Sequence, residues 1–189
     1  MAYEPKNFDH LLGTQGFSDT LLKNHFTLYQ GYVTNTNKLI ELLDTKEKGT
    51  PEYSELKRRL GWEWNGMRLH ELYFGNMAKS GVALDNGKLK EKIEKVYGSF
   101  EKWREHFVSV GKMRGIGWVI LYYDKEKGEL FNVWVNEHDF WHLAGCVPLL
   151  VLDVFEHAYM VDYGLKKADY IENFFKSIDW KAVLERFNL

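Results

Sequence analysis

A single cysteine, Cys146, stands in the 189-residue chain, so no disulfide can form within it. A reducing compartment suits such a chain, and a cytoplasmic location is the expectation. No apolar run approaches the roughly 20 residues that span a bilayer, and the opening Met1-Ala2-Tyr3-Glu4-Pro5-Lys6 lacks the apolar core of a signal peptide. A membrane is not an expected partner. Basic blocks are missing too, and the net charge of −2 gives no reason to expect nucleic acid. Any anionic substrate would need a local field to draw it in. Internal repeats and low-complexity tracts are also lacking.

Hydrophobic residues make up 45% of the chain and aromatics 16%, enough to fill one ordinary domain or two small lobes sharing a core. Ser18 or Asp19 can cap a helix running to about Leu43, with Leu21, Leu22, His25, Leu28, Tyr29, Tyr32 and Val33 at helical spacing. The polar stretch from Asp44 to Thr50 reads as a bend. Pro51, a favoured first-turn residue, opens a second helix that continues through Leu56 and Leu60 to about Met77. Asn86 to Phe107 reads as one or two amphipathic helices. The period then falls from 3.6 to 2: Gly117–Tyr123 and Glu129–Val135 are strands joined by the turn Asp124–Gly128, and Val147–Leu152 is a third strand. Asp169 onward is C-terminal helix. The predicted class is α+β, an N-terminal antiparallel helical hairpin (1–84) followed by an α+β lobe (85–189) with a small three-stranded antiparallel sheet.

Asp153 and His157 follow the third strand and lie four residues apart. A continuous strand would separate their Cα atoms by about 13 Å, too far for two groups that each bind one metal at about 2.1 Å. A turn must therefore follow Leu152. His25 on the first helix and His70 on the second can each offer an inward imidazole, completing a site of three nitrogens and one oxygen. Such a set suits a first-row redox metal and also zinc. It does not suit a di-iron helical bundle, which wants paired E-x-x-H motifs; no histidine here has a glutamate three residues before it.

The stretch Asp153-Val154-Phe155-Glu156-His157-Ala158-Tyr159 resembles the C-terminal signature of the iron/manganese superoxide dismutases, D-x-W-E-H-A-Y, with Phe155 in place of the tryptophan. His25 and His70 match that family's first and second ligands, and Asp153 and His157 its third and fourth. The resemblance implies one iron or manganese ion per subunit and superoxide as substrate. It implies a homodimer, or a dimer of dimers, with Glu156 and Tyr159 at the interface. Tyr32 matches the gateway tyrosine of the substrate funnel. His138 falls where many members carry a glutamine that holds the solvent on the metal; the alternative site for that glutamine is Gly66 here. Trp118, Phe155, Tyr73 and Phe74 match the apolar shell.

Three departures from the family pattern fall near the expected site. Lys166 or Lys167 stands where a funnel arginine is usual, and Tyr29 is the candidate for the place of a funnel histidine. The ligand-to-gateway spacing is seven residues, from His25 to Tyr32, where the family has eight. Seven residues of ideal helix turn through about 700°, within about 20° of the same face, whereas eight leave an offset near 80°. Tyr32 is therefore expected beside the metal on a helix without the family's bulge. The function implied is superoxide disproportionation, the alternative being a superoxide-dismutase fold kept for metal binding or sensing with little turnover.

Overall fold

Side-chain caps start the two long helices where the sequence places them. The structure, a computed structural model, describes residues 2–188; Met1 and Leu189, the outer limits of the two expected domains, lie outside that range. Helix α1 spans Asp19–Thr45, and the Ser18 hydroxyl accepts a hydrogen bond from the Leu21 N–H at 3.0 Å. Helix α2 spans Pro51–Phe74 behind the Thr50 hydroxyl, which accepts from Tyr53 N–H at 3.2 Å. His25 faces His70, Tyr32 abuts Gly66 and the Asn35 amide reaches Glu63, so the two helices run antiparallel. Their shared face carries Leu21, Leu22, Val33, Met67 and Phe74 into the core. Leu28, expected on that face, is instead 36% exposed.

The second lobe begins with α3 (Lys88–Tyr97) and α4 (Phe100–Gly111), divided at Gly98, whose φ of 90° favours glycine. Strands β1 (Gly117–Asp124), β2 (Glu129–Asn136) and β3 (Val147–Asp153) form an antiparallel sheet in the order β2-β1-β3. The central strand is buried from Trp118 through Tyr122, which accounts for its unbroken apolar run. In β3 the register slips beside Tyr122, at Pro148, which has no N–H to give the ladder. Trp118 pairs with Asp153 at the end of that ladder. The chain then makes a 3₁₀ turn (Glu156–Ala158) and a short helix α5 (Met160–Tyr163), whose Asp162 carboxylate accepts from both the N–H and the hydroxyl of Ser18.

The C-terminal stretch, expected to be helical from Asp169 onward, forms two helices, α6 (Lys167–Ser177) and α7 (Trp180–Asn188). The break has a partner. Ile178 and Asp179 bridge Met77 and Val82 in the segment that links α2 to α3, and Val82 N–H reaches Ile178 O at 2.8 Å. Gly81 sits there because a Cβ would lie 2.4 Å from the Lys176 carbonyl.

Asn76, fully buried in the same segment, bonds the N–H and the carbonyl of Val151 in β3 and the Tyr73 carbonyl at the end of α2. The half-buried Arg186 of α7 adds bonds to Asn76, Leu149 and Leu72. Asn76 thereby fixes the helix that carries His70 against the strand that carries Asp153. Asn76→Ala strands several buried groups at once and should cost about 2–4 kcal/mol, read as a lowered urea midpoint at constant slope.

Candidate metal centre

Four elements deliver four side chains to one point. His25 projects from α1, His70 from α2, Asp153 is the last residue of β3, and His157 sits in the 3₁₀ turn. The reversal after β3 is built by Asp153 itself: its Oδ1 accepts from the Phe155 N–H at 2.8 Å, while its carbonyl accepts from the Tyr170 hydroxyl at 2.7 Å. That leaves Oδ2 free to face the histidines. It lies 3.2 Å from His25 Nε2, 3.6 Å from His70 Nε2 and 3.1 Å from His157 Nε2. All four donor atoms fall within 4.8 Å of one another.

Two ligands held at about 2.1 Å and at angles of 90–120° stand about 3.0–3.6 Å apart, which covers all three Asp–His separations. The nitrogens that face inward are also short of partners. His25 Nε2 and His70 Nε2 are buried without a hydrogen bond among the described residues. On His70 the tautomer is set from outside, because Nδ1 bonds the Gly66 carbonyl at 2.6 Å and so carries the proton, leaving the Nε2 lone pair aimed inward. Orphaned buried nitrogens of this kind cost about 1–3 kcal/mol each, and a shared cation satisfies them together. The donor set therefore fits a single metal ion.

Electrostatics agree with the geometry. Burial lowers the His25 and His70 pKa values, so both rings favour the neutral form that binds metal. Burial would raise that of Asp153, but the adjacent His157 and His25 outweigh it and hold the carboxyl below the usual carboxylate range. The site thus offers three imidazoles and one anion.

Tyr32 and His138 come together beside these ligands. The Tyr32 ring stacks on His70 at 5.1 Å, and its hydroxyl lies 2.8 Å from His138 Nε2. No bulge interrupts α1 between His25 and Tyr32. The indole N–H of Trp118 donates to His138 Nδ1 at 3.0 Å. Indole only donates, so the proton of the neutral His138 ring resides on Nε2 and is given to the Tyr32 oxygen. Burial is the main reason that the His138 pKa is pushed down to about 4, which keeps the ring neutral at pH 7. Both nitrogens of His138 are thus engaged within the chain. Burial also raises the Tyr32 pKa, so that its hydroxyl stays protonated.

The wider shell departs from the sequence reading in places. Trp118, Tyr73 and Phe74 are buried around the ligands, and Phe155 stacks on both His157 and His138. Tyr29, by contrast, does not line the opening: its buried hydroxyl donates to Glu71 of α2 and accepts from the Lys6 N–H. Leu28 occupies the helix position beside Tyr32 at the opening. Lys167 donates to the Met113 carbonyl at 2.6 Å, away from that opening. Glu156 is exposed, and Tyr159 is buried against Tyr170.

Three residues that sequence reasoning passed over hold the His138 loop. His142 bridges the His138 carbonyl, at 2.8 Å, and the Tyr122 hydroxyl, at 2.7 Å. Trp62 donates to Glu137 at 3.1 Å. Nothing in their spacing marked them: His142 is only four residues from His138, but its anchor is Tyr122 on β1, and Trp62 meets Glu137 across 75 residues.

Comparison with known proteins places this geometry in a family. The model for the C-terminal domain of iron/manganese superoxide dismutases matches residues 85–186. An iron superoxide dismutase of Aquifex pyrophilus is 36% identical over 195 residues, covering 97% of this chain and 90% of the relative. One of Cupriavidus metallidurans is 38% identical over 178 residues, with coverage of 91% and 89%. A manganese superoxide dismutase of Haloferax volcanii is 36% identical over 166 residues, with coverage of 87% and 83%. With similarity across nearly its full length and a four-ligand site that fits one metal ion, the chain belongs to the iron/manganese superoxide dismutase family.

Proposed function

We propose that this protein disproportionates superoxide to dioxygen and hydrogen peroxide, at one iron or manganese ion bound by His25, His70, Asp153 and His157. The observation that carries this reading is the convergence of three imidazoles on one carboxylate oxygen, with two buried nitrogens that have no hydrogen-bond partner among the described residues. The ion supplies one-electron chemistry by alternating between its +3 and +2 states. The chain supplies position and protons. Two superoxide anions and two protons yield one dioxygen and one peroxide, so each turnover needs two protons delivered to a buried site.

Tyr32 is suited to that delivery. Its oxygen is held by His138 Nε2–H, which leaves its own proton unclaimed by His138 and free to be given. His138 acts here by orienting Tyr32, and Trp118 by fixing the tautomer of His138. Buried aromatic groups around the ligands limit bulk water.

His157 differs from the other ligands: its side chain is 28% exposed, and among the described residues its side chain bonds Asp153 alone. A ligand imidazole ordinarily donates its second nitrogen to an acceptor. In our reading that acceptor is Glu156 of a second copy, in a homodimer with Glu156 and Tyr159 at the interface. No described helix is long and apolar enough to cross a membrane, and the cytoplasm is the compartment we assign.

One experiment separates the readings. Protein loaded separately with iron and with manganese is measured for bound metal, molecular mass by light scattering and superoxide removal. Turnover by a dimer with one ion per subunit is the expected result. Bound metal without turnover favours the binding-only alternative, and a monomer with full metal occupancy counts against the Glu156 contact.

A further inference from the structure

Superoxide is an anion approaching a chain of net charge −2, so attraction must be local. The opening beside Tyr32 is a cavity of about 190 Å³ between α1 and α2, with Leu28 and Asn35 on one wall and Arg59 and Trp62 on the other. Arg59 is its cation. The guanidinium carbon lies 3.9 Å from the centre of the Trp62 ring, and Nε donates to Glu63 at 3.0 Å. Glu63 is buried and takes a further hydrogen bond from the Asn35 amide at 3.3 Å. The guanidinium is thus fixed on two sides, while its terminal nitrogens have no hydrogen-bond partner among the described residues and its side chain is 53% exposed. The other nearby acid, Glu137, is engaged by the Trp62 indole.

We infer that Arg59 is the specificity residue that draws small monoanions to the Tyr32 opening, a role the sequence reading gave to Lys166 or Lys167. Glu63 cancels much of the arginine charge at long range. At short range the buried acid and the exposed base form a dipole with its positive end at the mouth, and the planar fork presents paired N–H groups there. Lys167 cannot substitute, since it neither lines the cavity nor has a free ammonium edge pointing to it. The inference rests on the superoxide reading above.

The test compares metal-loaded wild type with Arg59→Gln and Arg59→Lys, using azide as a small linear monoanion whose binding is followed optically. Arg59→Gln should weaken azide binding and lower the second-order rate constant for superoxide removal, each by roughly 3- to 10-fold, and flatten the decline of that rate with salt. Metal content should stay at the wild-type level. Arg59→Lys should recover most of both effects because it keeps the charge, and fall short of wild type because it loses the fork; it also serves as the informative variant should Arg59→Gln fold poorly. Wild-type azide affinity and salt slope in Arg59→Gln would overturn the inference. So would loss of metal in both variants, which would make the residue merely structural. A wild type that binds metal and azide without removing superoxide would sink the enzymatic reading, and the azide comparison would still decide whether Arg59 selects anions.

Discussion

Asp153→Ala should leave the protein folded, free of metal and without superoxide removal above background. Asp153 Oδ2 lies within 3.6 Å of all three histidine Nε2 atoms, and Asp153 carries the negative charge of the four-ligand set. Alanine would leave three neutral donors around a cation of charge two or three, in a buried pocket that cannot solvate it. The loss should exceed the about 10–100-fold typical of changes outside the ligand set. His70→Ala should behave alike, since it removes a ligand nitrogen that has no hydrogen-bond partner among the described residues. Metal analysis and superoxide assay on the same preparation, with circular dichroism to establish the fold, check both. Either variant retaining metal and turnover would refute the ligand assignment.

The second large effect belongs to a residue with no side chain. A Cβ on Gly66 would lie 2.5 Å from one Tyr32 ring carbon and 2.7 Å from another, far inside van der Waals contact. Gly66→Ala must therefore push Tyr32 off His70 and strain its bond to His138. Helix propensity alone would favour alanine in the middle of α2 by about 1 kcal/mol. Overpacking costs about 1–3 kcal/mol, so the net change in stability should be small while activity falls roughly 10- to 100-fold with metal retained. Wild-type activity in Gly66→Ala would show that Tyr32 need not sit against α2. The expected split, metal kept and turnover lost, distinguishes this variant from those at Asp153 and His70.

Gly66 shows how the sequence and the structure divide the explanation. In the sequence it was the place of a missing glutamine, whose other family position is taken by His138. In the structure it is the space into which Tyr32 packs. The seven-residue interval from His25 keeps the tyrosine on the ligand face of a continuous helix. Shortened interval and glycine thus belong to one packing solution, and neither is intelligible without the other helix. Tyr29 illustrates the reverse. Its place in the segment suggested the funnel, yet one residue is about 100° of helix, and that rotation carries its hydroxyl to Glu71 while Leu28 takes the opening.

Local chemistry and order along the chain were determined by the sequence alone. Caps at Ser18 and Thr50, a change of period near Gly117, and four metal-capable residues in sequence all follow from rules that act within a few residues. Those rules reach as far as the ligands, because each ligand sits on a strongly patterned helix or at the end of a strand. The environment of the ligands was decided only by tertiary structure. Asn76 joining α2 to β3 and Trp118 setting the tautomer of His138 are contacts between groups whose separation in sequence carries no period; Arg59 and Trp62 are one helical turn apart, but only the packing of α1 on α2 places them at the mouth. Hydrogen bonds and packing depend on distance in space, and only the folded chain sets that distance.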